Sequence, residues 1–482
     1  MNQLKHKAIK SVFWVGSTRA VGQLIAMAVT VFMMRILSPE DYGLMGMALS
    51  YQAIVFLLYD MGVGAAVLQK PDLTREDICS AFWFSTIFGL VLYGSSWFIA
   101  VFIGYFFSNE SLVPLIRVLS LGNIFLAIQE VPFCIMAKRF EFKKRGIIEL
   151  SASLLCLATS LFMAIKGYGV WSLVIGQVVR EFLRCILILI FSGFKVEIYF
   201  SKSKLHQLLR FGIPYTGHHL LNYLNGQSDA IIIGRFLGST ALGYYQVAIS
   251  LARMPIQKVI AIANKVIFPV FTEIQNDQRE MQNYFYKIFH IISIFAFPVF
   301  LGLLSVSEEV VVLILTPKWL PSLFILRLFC IWAIFRSYIG FLLIILKSKG
   351  NTGAIFKYSL YSSVVLPVSF VIGVNFGISG VAIACLITIP IMFMYLLRLV
   401  KREIAISYLE TFRNAFHALV GSTVMVAFIY VLKVGVFKNI PVSYETMGIY
   451  IATGIIVFFG YFYCFSKKLF HEILDISYSL RA

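Results

Sequence analysis

Apolar runs of about 20 residues recur along the whole chain, each closed by a short polar, Gly/Pro or charged stretch, and this recurrence limits the fold more than any motif does. A run of that length crosses a hydrocarbon layer as an α-helix, and only helices or closed barrels satisfy their backbone hydrogen bonds there. The runs are continuous instead of alternating, which argues against a β-barrel. Of 482 residues, 60% are hydrophobic and 13% charged, too little charge to cover a soluble chain of this size. A cytosolic enzyme, a disordered chain and a small disulfide scaffold are therefore excluded. What remains is an all-α polytopic membrane protein.

The punctuation divides the chain into fourteen expected spans, approximately Ser11–Met34, Tyr42–Leu68, Ile78–Phe107, Leu112–Ala137, Gly146–Ile165, Val170–Phe194, Leu209–Gly234, Leu242–Phe268, Tyr284–Val306, Leu320–Leu346, Ala354–Val374, Ile378–Leu397, Phe412–Leu432 and Tyr444–Phe465. The first is too long for a signal h-region and lacks a small-residue cleavage site. Every connection is short; the longest expected one, Pro269 to Asn283, is too small for a catalytic domain. Any chemistry must lie between helices.

Charge sets the expected topology. The formal net charge is +18, which in a soluble protein would suggest nucleic acid; here most basic residues flank spans, and no nucleic acid is expected. One set of connections holds 25 Lys and Arg and the alternate set six. Basic residues accumulate on the cytoplasmic side, so both termini are expected there. The chain also repeats. RILSPEDYGLMGMA at Arg35 and RFLGSTALGYYQVA at Arg235 match at Arg35/Arg235, Leu37/Leu237, Gly43/Gly243 and Ala48/Ala248, an offset of 200. A weaker echo pairs Gly167–Tyr168–Gly169–Val170 with Asn375–Phe376–Gly377–Ile378. Six helices per repeat preserve orientation, so the repeats are expected to relate by a pseudo-twofold axis along the membrane normal. The expected organisation is an N-lobe over residues 1–194, a cytoplasmic linker over 195–208, a C-lobe over 209–400, and two further spans with a cytoplasmic tail over 401–482. Two lobes with a seam read as an alternating-access transporter; the plainer reading is a duplicated scaffold.

Ten basic residues fall inside expected spans: Arg19, Arg117, Arg180, Arg184, Arg253, Lys258, Lys265, Arg327, Arg336 and Lys357. His218, His219, His290 and His417 join them, with the acids Asp60, Glu130, Glu149, Glu181 and Asp229. A charge near mid-bilayer costs at least about 2.5–3.5 kcal/mol, so such groups face a partner, a ligand or water. Some have ordinary explanations. Lys265 and Lys357 can snorkel to a helix end, Arg117 sits near an interface, and Glu181 and Arg184 are spaced to neutralise each other. The candidate cationic cavity comprises Arg19, Arg253, Lys258, His218, His219, Arg180, Arg184, Arg327 and Arg336, groups suited to phosphate oxygens. Asp60 and Asp229 are candidate ion or proton carriers, or counter-ions.

Trp14, Tyr42, Trp171, Tyr199, Trp319 and Tyr444 at span ends read as interface anchors, with sugar stacking as the alternative. Pro214 and Pro255 are expected to interrupt the seventh and eighth spans. The seven Cys are scattered with no CxxC pair and read as small buried hydrophobes. No Walker loop, HExxH or nucleophile elbow is present, so neither an enzyme nor a metal or cofactor is expected.

Several blocks resemble a known family: Leu209–Arg210–Phe211–Gly212, Asn222–Tyr223–Leu224–Asn225, Arg235-x-Leu237–Gly238, Val266-x-Phe268–Pro269-x-Phe271, Ile274–Gln275-x-Asp277 and Asn283-x-Phe285–Tyr286–Lys287. Phe297–Pro298, Gly302–Leu303, Lys318–Trp319 and Arg336–Ser337 continue the pattern. The chain resembles Wzx-type polysaccharide flippases, nearest the colanic-acid exporter subgroup, within the multidrug/oligosaccharidyl-lipid/polysaccharide exporter superfamily. The resemblance implies fourteen helices in two six-helix lobes plus two more. It also implies transport of undecaprenyl-pyrophosphate-linked repeat units from the cytoplasmic to the outer leaflet of a bacterial inner membrane, for exopolysaccharide, capsule or O-antigen-type assembly. Membrane lipid and the lipid-linked oligosaccharide are the expected partners, a polysaccharide polymerase and export machinery are candidates, and the expected working form is a monomer. The alternative is a cation-coupled multidrug exporter of the same superfamily, which needs cavity acids where this chain has an excess of bases. A polymerase or ligase would typically carry a large periplasmic loop.

Overall fold

A computed structural model describes residues 25–60, 62–438 and 440–465, leaving out the side chains of residues 57–60, 211–225, 257–266 and 465. Among the described residues there are helices and no strand. The chain divides into two compact units, Met1–Gly243 and Tyr244–Ala482.

The first unit holds α1 (Ile25–Ile36), α2 (Pro39–Asp60), α3 (Val63–Gln69), α4 (Arg75–Phe106), α5 (Leu112–Leu119), α6 (Leu121–Lys138), α7 (Phe142–Ile165) and α8 (Trp171–Ser192). It also takes the first arm of the 72-residue α9 (Lys202–Glu273). Local chemistry sets the ends. Thr74 opens α4 with a capping box, its hydroxyl accepting from the Asp77 N–H while the Asp77 carboxylate accepts from the Thr74 N–H, and Lys70 pairs with Asp77 at 2.8 Å. This satisfies donors the first helical turn leaves free. Helix α4 packs on α6, α6 on α8, and α8 on α7. The opposite face of α4 carries Phe98, Phe102 and Tyr105, 76%, 72% and 85% exposed. That outward aromatic stripe, at helical spacing, is what a lipid-facing helix presents.

The second unit holds the rest of α9, α10 (Gln278–Ser305), the one-turn α11 (Ser307–Glu309), α12 (Leu323–Ser348), α13 (Thr352–Val374), α14 (Gly377–Ile404), α15 (Tyr408–Val431) and α16 (Tyr444–Phe465). Helix α12 is the most enclosed and packs on α10 and α14; α13 packs on α14, and α15 on α10 and α16. Stacked rings build the core between α10 and α12: Phe285 lies 5.6 Å from Phe341 and 5.7 Å from Phe289, which lies 4.4 Å from Tyr338. Tyr338 keeps its polar end satisfied against Ser293 at 2.8 Å, as buried tyrosines require.

Nine helical segments among the described residues are long and apolar enough to cross a membrane. Of the remaining expected spans, Tyr42–Leu68 is divided between α2 and α3, Val170–Phe194 falls on α8, and Leu209–Gly234 and Leu242–Phe268 fall on the two arms of α9. Of Ser11–Met34, residues 11–24 lie outside the described residues and the rest falls in α1. The protein is an all-α, multi-pass membrane protein. The repeat is visible in the backbone. Gly169 and Gly377, paired by the weaker echo, both take left-handed φ, 52° and 72°, in the turns entering α8 and α14. Gly43 and Gly243 are reciprocal: a Cβ on Gly43 would lie 1.7 Å from the Ser239 carbonyl oxygen, and one on Gly243 1.8 Å from that of Pro39. Moving residue 43 up by 200 and residue 239 down by 200 turns one contact into the other.

Three expectations are corrected. The connection expected over Pro269–Asn283 is shorter, because α9 runs to Glu273 and α10 begins at Gln278, N-capped by Asp277. Neither Pro214 nor Pro255 breaks α9. The one non-helical residue in it is Gly238, at φ 83° and ψ −179°, a conformation open to glycine and closed to residues with a Cβ; proline removes one N–H and can bend a helix without ending it. Trp319, read as an interface anchor, is fully buried with its ring edge-on to Tyr244 at 6.1 Å.

Candidate functional site

Two groups of charged side chains form inside the helices, one in each unit. In the second unit, Arg253 on α9 sits with its guanidinium 5.8 Å from the centre of the Trp332 ring. Trp332 stands four residues before Arg336 on α12, so one helix face presents both. Arg336 lies within electrostatic reach of Arg253, of Tyr358 on α13 and of Cys385 on α14. No carboxylate is paired with Arg336 among the described residues, and the buried Tyr358 hydroxyl has no hydrogen-bond partner. Both arginines are half-buried, and two neighbouring guanidiniums repel each other to the extent that water does not screen them. An anion between them would reverse the sign of that interaction and give Tyr358 an acceptor.

In the first unit, Arg180 and Arg184 of α8 meet two acids. Arg180 pairs with Glu149 at 3.6 Å and Glu181 at 3.2 Å; Arg184 pairs with Glu149 at 2.9 Å and Glu181 at 3.5 Å. Each carboxylate thus bridges both guanidiniums in a closed ring whose four charges cancel. Glu181, 4% exposed, also accepts from Gln129 at 3.1 Å and Gln177 at 3.5 Å. The ring has one aromatic face, with Arg184 lying 4.7 Å from the centre of the Phe133 ring. It lines a cavity of about 360 Å³ with Gln52 and Phe56 of α2.

The other expected site residues are elsewhere. Arg327 is exposed near the start of α12, 3.7 Å from Glu308 and donating to the Ser307 hydroxyl at 3.0 Å. Nine residues separate it from Arg336, which at about 100° per residue puts the two on opposite faces of the helix. Asp229 is buried and accepts from the Ala230 N–H at 2.8 Å. Arg19 and the side chains of Lys258, His218, His219 and Asp60 lie outside the described residues. Charge counting missed the uncharged polar members: Gln52, Asn123, Gln129, Gln177 and Tyr358. Amides within otherwise apolar runs were the available signal.

An apolar groove of about 630 Å³ runs between α10, α15 and α16 in the second unit, lined by residues such as Phe295, Pro298, Met425, Ile455 and Phe458. Gly302 keeps one wall low; a Cβ there would first meet the Met425 methyl at 3.6 Å. Tyr450 marks one end, where Lys433 lies 5.1 Å from the centre of its ring and 2.6 Å from Glu309.

A family model described as polysaccharide biosynthesis protein matches residues 32–324. The lipopolysaccharide biosynthesis protein WzxC of Escherichia coli (strain K12) is 27% identical over 372 residues, 77% of this chain and 76% of that one. An uncharacterised membrane protein in the cps region of Klebsiella pneumoniae is 26% identical over 467 residues, 94% of each chain. Among solved structures, lipid II flippase MurJ in an inward closed conformation superposes with a TM-score of 0.77 at 17% identity, covering 93% of this chain and 99% of that one. That likeness shows the fold.

Proposed function

The chain belongs to the polysaccharide biosynthesis protein family, as a multi-pass membrane transporter and not an enzyme, and from that premise we propose that it flips undecaprenyl-pyrophosphate-linked oligosaccharide units from the cytoplasmic to the outer leaflet by alternating access. The observation that carries this reading is the Arg253–Arg336 pair with the Tyr358 hydroxyl beside it. Two half-buried cationic forks suit a pyrophosphate, whose oxygens accept paired N–H bonds and whose charge offsets the repulsion between the arginines. Arg19, Lys258, His218 and His219 are proposed to complete that site, and Asp60 and Asp229 to balance or couple it. The groove between α10, α15 and α16, almost without polar lining, suits a polyprenyl chain, which has no hydrogen bonds to make. The lobes over residues 1–194 and 209–400 would exchange access around the head group, with both termini cytoplasmic.

The test is a gene deletion followed by fractionation of lipid-linked intermediates by leaflet. Deletion should leave the repeat unit on the cytoplasmic face; its normal appearance outside removes this reading and leaves drug export. In the complemented strain, Arg253→Ala with Arg336→Ala should cut outward appearance at least tenfold, since each lost charge-assisted contact is worth about 1.5–3 kcal/mol. Full transport by a well-expressed double variant would show that the pair does not hold the head group.

A further inference from the structure

We propose that the cavity lined by the Arg–Glu ring in the first unit is a saccharide subsite that takes the neutral, hydroxyl-rich part of the head group; this rests on the flippase reading. Glu149, Arg180, Glu181 and Arg184 cancel in charge, so the cavity exerts little pull on a phosphate. Its hydrogen-bonding capacity is nevertheless large. A guanidinium carries five N–H donors and a carboxylate about four acceptor positions, more than the ring consumes, and Arg180 and Glu149 keep 31% and 32% of their side chains accessible. The amides of Gln52 and Gln177 also line the cavity. Gln52 donates to Asn123 and Gln177 to Glu181 at 3.5 Å, and each amide carries further donor and acceptor positions. A hydroxyl donates and accepts at once, so a sugar or its bound water answers groups of both kinds.

The rest of the wall is apolar. Phe56, 47% exposed, and Leu126 flank the polar groups and offer a surface for the C–H face of a pyranose. At about 360 Å³, the cavity falls within the roughly 300–1,000 Å³ of small-molecule sites. An organic cation is a poorer occupant, because both carboxylates already bridge guanidiniums.

The test uses the purified full-length protein in detergent. One probe is the oligosaccharide freed by mild acid from the host's own lipid-linked intermediates, carrying neither phosphate nor lipid; the other is inorganic pyrophosphate. Gln52→Leu with Gln177→Leu removes hydrogen-bonding groups and leaves the ring charges in place. Ala53→Phe obstructs the cavity without deleting any polar group and serves if the double variant misfolds. Both should weaken oligosaccharide binding at least tenfold while leaving pyrophosphate affinity within twofold. Undiminished oligosaccharide affinity in a folded variant, or no oligosaccharide binding by the unmodified protein, overturns the subsite. Failure of the flippase reading would show separately, as normal outer-leaflet intermediates in the deletion strain.

Discussion

Replacing Gly43 and Gly243 by alanine, singly and together, tests the repeat at its tightest point. A Cβ at residue 43 would lie 1.7 Å from the Ser239 carbonyl oxygen and one at 243 1.8 Å from that of Pro39. A Cβ essentially never approaches another heavy atom within 3.0 Å, so the two backbones must part by about 1.3 Å. The obstacle is a helix carbonyl, which cannot rotate aside as a side chain can. Overpacking of this kind costs about 1–3 kcal/mol, against roughly 1 kcal/mol that alanine returns in helix propensity and backbone entropy. Because the obstacle is backbone, the cost falls in the upper part of that range, about 2–3 kcal/mol, and each single variant should lose about 1–2 kcal/mol. The two collisions are reciprocal and one separation relieves both, while both alanines return their share, so the double variant should cost less than either single one. The coupling energy should then be about 2–3 kcal/mol, within the range for touching residues. Reversible unfolding in mixed micelles, followed by tryptophan fluorescence, measures all four corners of the cycle. Strict additivity, or singles that match or exceed the unmodified stability, would refute the shared crossing.

Glu181→Leu should destabilise toward the lower end of about 3–5 kcal/mol, because it removes the buried carboxylate of the ring while Glu149 still pairs with both arginines and Arg180 is part-exposed. Glu181→Gln, which still accepts hydrogen bonds, should lose less; equal losses in the unfolding assay would count against the ion-pair ring. Arg327→Ala, breaking an exposed pair, should change stability by under about 1 kcal/mol and leave outer-leaflet transport intact. A large transport defect would place Arg327 in the site after all. Gly302→Leu should preserve the fold yet fill the groove between α10, α15 and α16, lowering outward appearance of lipid-linked intermediates several-fold. Normal transport at normal abundance would mean the groove is not used.

The one-dimensional pattern determined the fold class, the recurrence of spans and the 200-residue repeat, because the bilayer converts run length directly into helix length and the repeat keeps glycine where backbones touch. Even Gly43 and Gly243 were legible as a matched pair, though nothing in the sequence said that each faces residue 39 or 239. Side-chain partnerships needed the tertiary structure. Of the ten embedded cations, the sequence set apart Lys265, Lys357 and Arg117 and paired Arg184 with Glu181 by spacing, a pair the structure makes at 3.5 Å. Packing alone added Glu149 of α7 to both Arg180 and Arg184, gave Arg327 an exposed carboxylate, and put Arg336 in the neighbourhood of a second arginine. Spacing along one helix carries no information on such partners from other helices, since the face a residue presents depends on which helix lies against its own. Gly238 shows the same division: the sequence marks a glycine, but only the surrounding helices decide that this one, and neither Pro214 nor Pro255, is where α9 turns.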